Sequence, residues 1–460
     1  MNHLPGQCIG SIATMICIVI GCVVPAWSQP GPALEGETSD ASVPELMLED
    51  VTGEIVDDAE LPVRWAWKLG GEFASECTIV QFTTWGDDLI LLTESEETLT
   101  VRRFDSGGQE MWGTDLPMTF TGSHAILEIV DERICVGATA MTPLVAMAGE
   151  VVNEVYLAEL DMDGDLVSQS CMTPSFLLSP TLEEKVGVAL EVTDVQRGYD
   201  DECYVGGVLW VPHGQKTYAT PFLAKVNQDG ETLWSQLIAP DSPHLFKSDT
   251  PDVHVIVYDE TVLLVGSTRA SLDGPNQGQE DLFVAGFETE GYRQWVHQFG
   301  SSESDVLVDA GPGIDGGVYL VGTTEGDFAD QCAGRSDGFV LHCNAQGAWD
   351  WGVHSLLPGA DGYVGVTTDP QEETPMVLTG IDGGVGVISY NDQGDVTSTR
   401  RATFDGLLAP ERLSVGDGST LVAQCRYFEA IEGDQYEPAC TVLIGVDVSE
   451  SESARADETD

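Results

Sequence analysis

Asp281-Leu-Phe-Val-Ala-Gly-Phe-Glu-Thr-Glu-Gly-Tyr-Arg-Gln-Trp295 is the stretch from which the rest of the chain can be read. An apolar run enters a short turn ending at Gly291, and a tryptophan follows four residues later. The same phrase returns as Phe104-Asp-Ser-Gly-Gly108 with Trp112, Val226-Asn-Gln-Asp-Gly230 with Trp234, and Cys343-Asn-Ala-Gln-Gly347 with Trp351. Two weaker copies, ending at Gly164 and Gly394, carry Ser168 and Ser398 at the tryptophan position. Asp or Asn at the first turn position bonds its own backbone, and glycine relieves strain where the chain leaves the turn. Each copy therefore predicts a β-hairpin. A tryptophan at a fixed strand position in successive units predicts repeated packing between neighbouring sheets.

A second element alternates with the first: a turn, then an apolar strand, often closed by glycine. Clear copies are Asp131–Gly137, Asp201–Gly206, Asp259–Gly266 and Asp315–Gly322, with looser ones at Asp87–Leu92, Thr374–Gly380 and Asp417–Ala423. That makes seven middle elements against six hairpins. The hairpin glycines at 108, 164, 230, 291, 347 and 394 are spaced by 56, 66, 61, 56 and 47 residues, the size of one four-stranded propeller blade. Val63-Arg-Trp-Ala-Trp67 reads as a strand lacking its preceding turn, and Cys440–Asp447 as a strand lacking its following one. Joined, they supply the missing unit and remove exposed edges. The prediction is an all-β, seven-bladed β-propeller over residues 63–448, closed by pairing of its N- and C-terminal strands. An open solenoid would leave these complementary ends unexplained.

Outside that region the sequence changes character. The apolar run Ile9–Val24 followed by Pro25-Ala26-Trp27-Ser28 predicts a signal peptide over 1–28, cut before Gln29. Val19-Ile-Gly-Cys22 offers a competing lipobox, in which Cys22 is lipidated. Residues 29–62 are rich in Pro, Gly and acid and read as a tether, and 449–460 as an acidic tail. The chain has 77 acidic against 18 basic residues, a formal charge of −59, and its first cation is Arg64. Such a surface repels nucleic acid and anionic membranes, so nucleic acid is excluded as a partner, and a membrane is expected only through a lipidated Cys22.

Three of the 11 cysteines lie near the N-terminus, leaving an even eight, which in an exported chain predicts disulfides. Cys332 with Cys343 and Cys425 with Cys440 are the local candidates. No C-x-x-C pair supports zinc.

Asp281–Trp295, Phe299–Asp305 and Asp315–Phe328 together resemble the bacterial SBBP-type β-propeller repeat, with its Phe-Val-Ala strand, Gly-x-x-x-Trp turn and Val-Tyr-x-x-Gly strand. The resemblance is strongest over 281–350 and loosens elsewhere. It implies a propeller in an exported bacterial protein, and no particular activity. The Gly-x-x-x-Trp phrase is more distantly similar to quinoprotein-like propellers, including outer-membrane assembly lipoproteins. Those carry Thr-Gly-Lys where this chain has Gln109, Glu231, Tyr292 or Ala348 after the glycine, so no quinone cofactor is expected.

Motifs that carry chemistry are sparse. Asp161-Met-Asp-Gly-Asp165 suggests a calcium loop, but it lacks the closing Glu and coincides with the repeated turn, so no cofactor is expected and calcium is the lesser reading. Asn227–Trp234 approaches a sialidase Asp-box with the spacing one residue short. Neither a G-x-S-x-G elbow nor a G-x-x-x-x-G-K phosphate loop is present. Val208–Tyr218 interrupts the third unit, which makes Trp210, His213 and Tyr218 a candidate ligand loop, with an ordinary long hairpin as the plainer reading. The expectation is an exported, monomeric, non-enzymatic module that binds a protein or polysaccharide. A propeller glycosidase or lyase and an assembly-type lipoprotein are the alternatives, and a cluster of carboxylates and aromatics in the channel would favour the enzyme.

Overall fold

Each middle strand of this chain is apolar at consecutive positions rather than at alternate ones, as in Thr261-Val-Leu-Leu-Val-Gly266. A strand buried on both faces needs such a run, because successive side chains point to opposite sides. The computed structural model bears this out. Leu263 and Val265 pack towards one neighbouring sheet, Val262 and Leu264 towards the other, and all four are fully buried.

The structure describes residues 47–50, 63–70, 77–96, 98–130, 132–141, 153–172, 189–198, 202–213, 216–227, 230–238, 253–313, 315–326, 337–354, 360–368, 374–381, 384–402, 407–415, 420–431 and 435–447. Among them every regular element is a strand, and the strands form seven antiparallel sheets. Blade 1 runs from Thr78 to Asp115, blade 2 from Thr119 to Met172, and blade 3 from Ala189 to Leu237. Blade 4 runs from Val253 to Phe299, blade 5 from Asp305 to His354, and blade 6 from Ala360 to Ala402.

Blade 7 is made from both ends of the propeller. Leu407–Val415, Thr420–Ile431 and Gln435–Asp447 supply its inner three strands, and Val63–Gly70 adds the fourth. The closing register sets Trp65 opposite Gly445, Ala66 opposite Ile444 and Trp67 opposite Leu443. Trp65 and Trp67 stack with ring centroids 4.4 Å apart. The expected seven-bladed closure is therefore found.

The core follows the same count. Seven hydrophobic clusters occupy the seven seams between blades, including one that joins Trp67, Val422 and Leu443 of blade 7 to Phe82, Leu89 and Phe104 of blade 1. Each buried Val, Leu or Phe contributes roughly 1.5–3 kcal/mol. The ring is therefore held by its seams and has no single centre of hydrophobic mass.

Two segments differ from expectation. Met47–Asp50, within the expected tether, forms a fifth strand on the outer edge of blade 7, paired antiparallel to Trp67–Gly70. Four residues, two apolar and then two acidic, give no readable alternation, and they pair with an existing edge strand. The sequence of Leu182–Val192 alone could pass for a short helical segment, but its described part, residues 189–192, belongs to the strand Ala189–Arg197. Residues 1–28 including Cys22, the tail 449–460 and Cys332 lie outside the described residues.

Candidate functional site

The hairpin phrase forms the turn that its residues predict. Asp105 Oδ1 accepts bonds from the amides of Gly107 and Gln109, both at 2.9 Å, and Gly108 has a φ of 77°. Asp161 does the same for Asp163 and Asp165, so Asp161–Asp165 serves as a repeated turn. Asn344 and Asn391 repeat it. Asn227 bonds the amide of Glu231 at 2.8 Å. Each indole lies against the turn of the next blade: Trp112 on Gly164, Trp234 on Gly291, Trp295 on Gly347 and Trp351 on Gly394. The indole N–H of Trp234 donates to the carbonyl of Thr289 at 2.9 Å, and that of Trp112 to Met162 at 3.2 Å. These glycines and tryptophans fasten seams together.

The Val208–Tyr218 segment extends blade 3 in unbroken register from Cys203 opposite Val226 to His213 opposite Lys216. Both strands lengthen equally, so what looks like an interruption in sequence is a long hairpin. Trp210 is half-buried, and its indole N–H donates to Glu191 at 3.2 Å. The side chains of His213 and Tyr218 lie outside the described residues.

Chemistry concentrates instead in the central channel, a cavity of about 620 Å³ lined by the innermost strands. Its polar lining includes Gln81, Glu128, Asp194, His254, Asp309 and Arg412, each from a different blade. Gln81, Asp194, Asp309 and Arg412 each follow a break in strand register, where an extra residue re-aims the side chain. Sequence reasoning missed this ring.

Most of these groups tie one blade to another. Asp194 accepts the amide of Val255 in blade 4 at 2.6 Å. Asp309 accepts the amides of Val366 in blade 6 and of Ala310, at 2.9 and 2.8 Å. The Arg412 guanidinium donates to the Val80 carbonyl across the blade 7–blade 1 seam. His254 stands between blades, with Nδ1 3.6 Å from Asp309. Burial pushes the carboxyls of Asp194 and Asp309 up, partly offset by His254. Burial, and then the neighbouring Asp194, push Glu128 up to about 7. No Phe, Tyr or Trp is among the described residues lining the channel.

The expected bridges are not seen at Cys343 or Cys425, which are buried thiols. Cys425 stands opposite Val442, and Cys440 opposite Tyr427. Among the described residues no group of three His, Cys, Asp or Glu side chains is arranged to hold a metal ion.

No protein-family model matches the chain, and no curated protein sequence does either. Solved structures of propellers do. An oligogalacturonate lyase in complex with manganese aligns over 90% of this chain and 98% of its own, at 11% identity and a TM-score of 0.48. The Dos1 propeller aligns over 88% and 96%, at 10% identity and a TM-score of 0.45. The β-propeller domain of the Trilobed protease from Pyrococcus furiosus aligns over 80% and 96%, at 10% identity and a TM-score of 0.44. Likenesses this distant carry no argument about chemistry.

Proposed function

We propose that this chain is an exported, non-enzymatic propeller of the SBBP type, acting as an interaction module outside the bacterial cell. The observation that carries this reading is the state of the channel carboxylates. Asp194 and Asp309 spend their oxygens on backbone amides, two of them in neighbouring blades, and so act as fasteners of the ring. A hydrolytic or eliminating site needs a carboxylate free to exchange a proton with substrate, and sugar-binding channels add aromatic platforms. The partner is a protein or polysaccharide that tolerates a strongly acidic surface, and its binding weakens with salt if cationic groups mediate it.

The enzymatic alternative is favoured by one group, Glu128, whose carboxyl near 7 is suited to proton transfer at neutral pH. A single experiment separates the two. The purified protein is incubated with neutral and acidic polysaccharides, and both retention and release of reducing or unsaturated ends are followed. The scaffold reading expects no release above that of Glu128→Gln; release abolished by that substitution would replace it with the enzymatic one. Export is tested by the mature N-terminus. Gln29 supports the soluble exported form, and a lipidated Cys22 supports the lipoprotein.

A further inference from the structure

Two copies of the repeat carry serine at the tryptophan position, Ser168 and Ser398, and the first of them belongs to the seam between blades 2 and 3. Between blades 2 and 3 the tryptophan is missing, Ser168 takes its place in the repeat, and Gly230 approaches Ser170 instead of an indole. A cavity of about 40 Å³ lies in this seam, with room for a water or two and far too little for an indole. Its lining includes apolar Ile126, Leu157 and Val195 and two thiols, one from each blade. Cys135 comes from the second strand of blade 2 and Cys203 from the second strand of blade 3. Arg197 connects the two: it is the cross-strand partner of Cys203, and its guanidinium reaches Cys135 Sγ at 3.9 Å.

We propose that Cys135 and Cys203 are a redox pair that closes to an inter-blade disulfide by exchange with glutathione disulfide. The seam that lacks its tryptophan wedge would then be joined covalently. The thiolate of Cys203 attacks one sulfur of glutathione disulfide, giving a mixed disulfide and releasing one glutathione. The thiolate of Cys135 then attacks the Cys203 sulfur, forms the Cys135–Cys203 bond and expels the second glutathione. The two cysteines together lose two protons and two electrons, and the electrons leave with the two glutathiones. Burial pushes Cys135 up to about 12 and Cys203 up to about 11, so closure is slow at neutral pH and faster in mild alkali. The pairing joins residues from different repeats, unlike the pairs suggested by proximity in sequence.

The test uses the full-length protein, incubated with glutathione disulfide at alkaline pH, alkylated, and mapped without reduction by mass spectrometry. The expected result is a cross-linked peptide containing Cys135 and Cys203, absent from Cys135→Ser and Cys203→Ser. A rise in Tm is expected on oxidation of the wild type, reversed by reductant. Free alkylated thiols at both positions, a stable glutathione adduct on either one, or a link from either one to another cysteine would overturn the proposal. The primary readout is on the unsubstituted chain, so it does not depend on the variants folding.

Discussion

Trp234 lies against Gly291 so closely that a Cβ on that glycine would stand 2.6 Å from Cδ2 of the indole. Gly291 also has a φ of 90°, a conformation that side chains other than glycine rarely adopt. Two requirements thus converge on one residue, set by its own turn and by the preceding blade. Gly291→Ala is expected to destabilise the protein by about 2–4 kcal/mol, through backbone strain and overpacking together. Chemical denaturation measures it. A loss below about 1 kcal/mol, the usual cost of strain at such a turn alone, would mean that the indole does not hold this seam.

Removing the indole should be as damaging as crowding it. Trp234→Ala leaves a hole beside Tyr204 and withdraws the bond to Thr289, so a loss of about 3–5 kcal/mol is expected. Because both substitutions act on one contact, the double variant Trp234→Ala/Gly291→Ala should lose less than the sum of the two. A double-mutant cycle reads this coupling directly.

Asp194 offers a separate test of the channel as a fastener. Asp194→Ala removes the acceptor of the buried Val255 amide and is expected to cost about 1–3 kcal/mol. Faster hydrogen exchange at Val255 should accompany it. Exchange unchanged at that amide would show that the carboxylate does not join blades 3 and 4.

Glu128 makes stability depend on pH in a defined direction. Its carboxyl is raised from 4.5 to about 7 in the folded state, so the folded chain binds a proton more tightly than the unfolded one. Its contribution to stability is therefore fully present below 4.5 and is lost as pH rises to about 7. Glu128→Gln should flatten that part of the Tm profile, and should be more stable than wild type at pH 8 by on the order of 1–3 kcal/mol. Parallel profiles for the two proteins would contradict the assignment.

The blades were legible in the sequence because their signals are local. A turn residue, a glycine at positive φ and a strand buried on both faces all lie within about a dozen residues. Closure was legible because Val63–Trp67 and Cys440–Asp447 each lack what the other supplies. The channel ring was not legible. Glu128, Asp194, His254 and Asp309 lie in separate repeats, and their aim depends on register breaks or seam geometry that leave no periodic trace. That Cys135 and Cys203 line one cavity was hidden for a similar reason, since it depends on which face of each strand meets the shared seam. The segment around Trp210 left a loop and a long hairpin both open, because lengthening both strands of a hairpin together looks, along one dimension, like an insertion.

The central claim is that residues 63–68 complete a closed ring of seven blades. Native-state hydrogen exchange tests it most directly, with the amides of Trp65–Lys68 compared against those of Val442–Ile444, the strand they join. The closed ring predicts that both segments are protected to a similar degree and open together as denaturant is added. Rapid exchange at Trp65–Lys68 while Val442–Ile444 stay protected would show an open array, and would contradict the account.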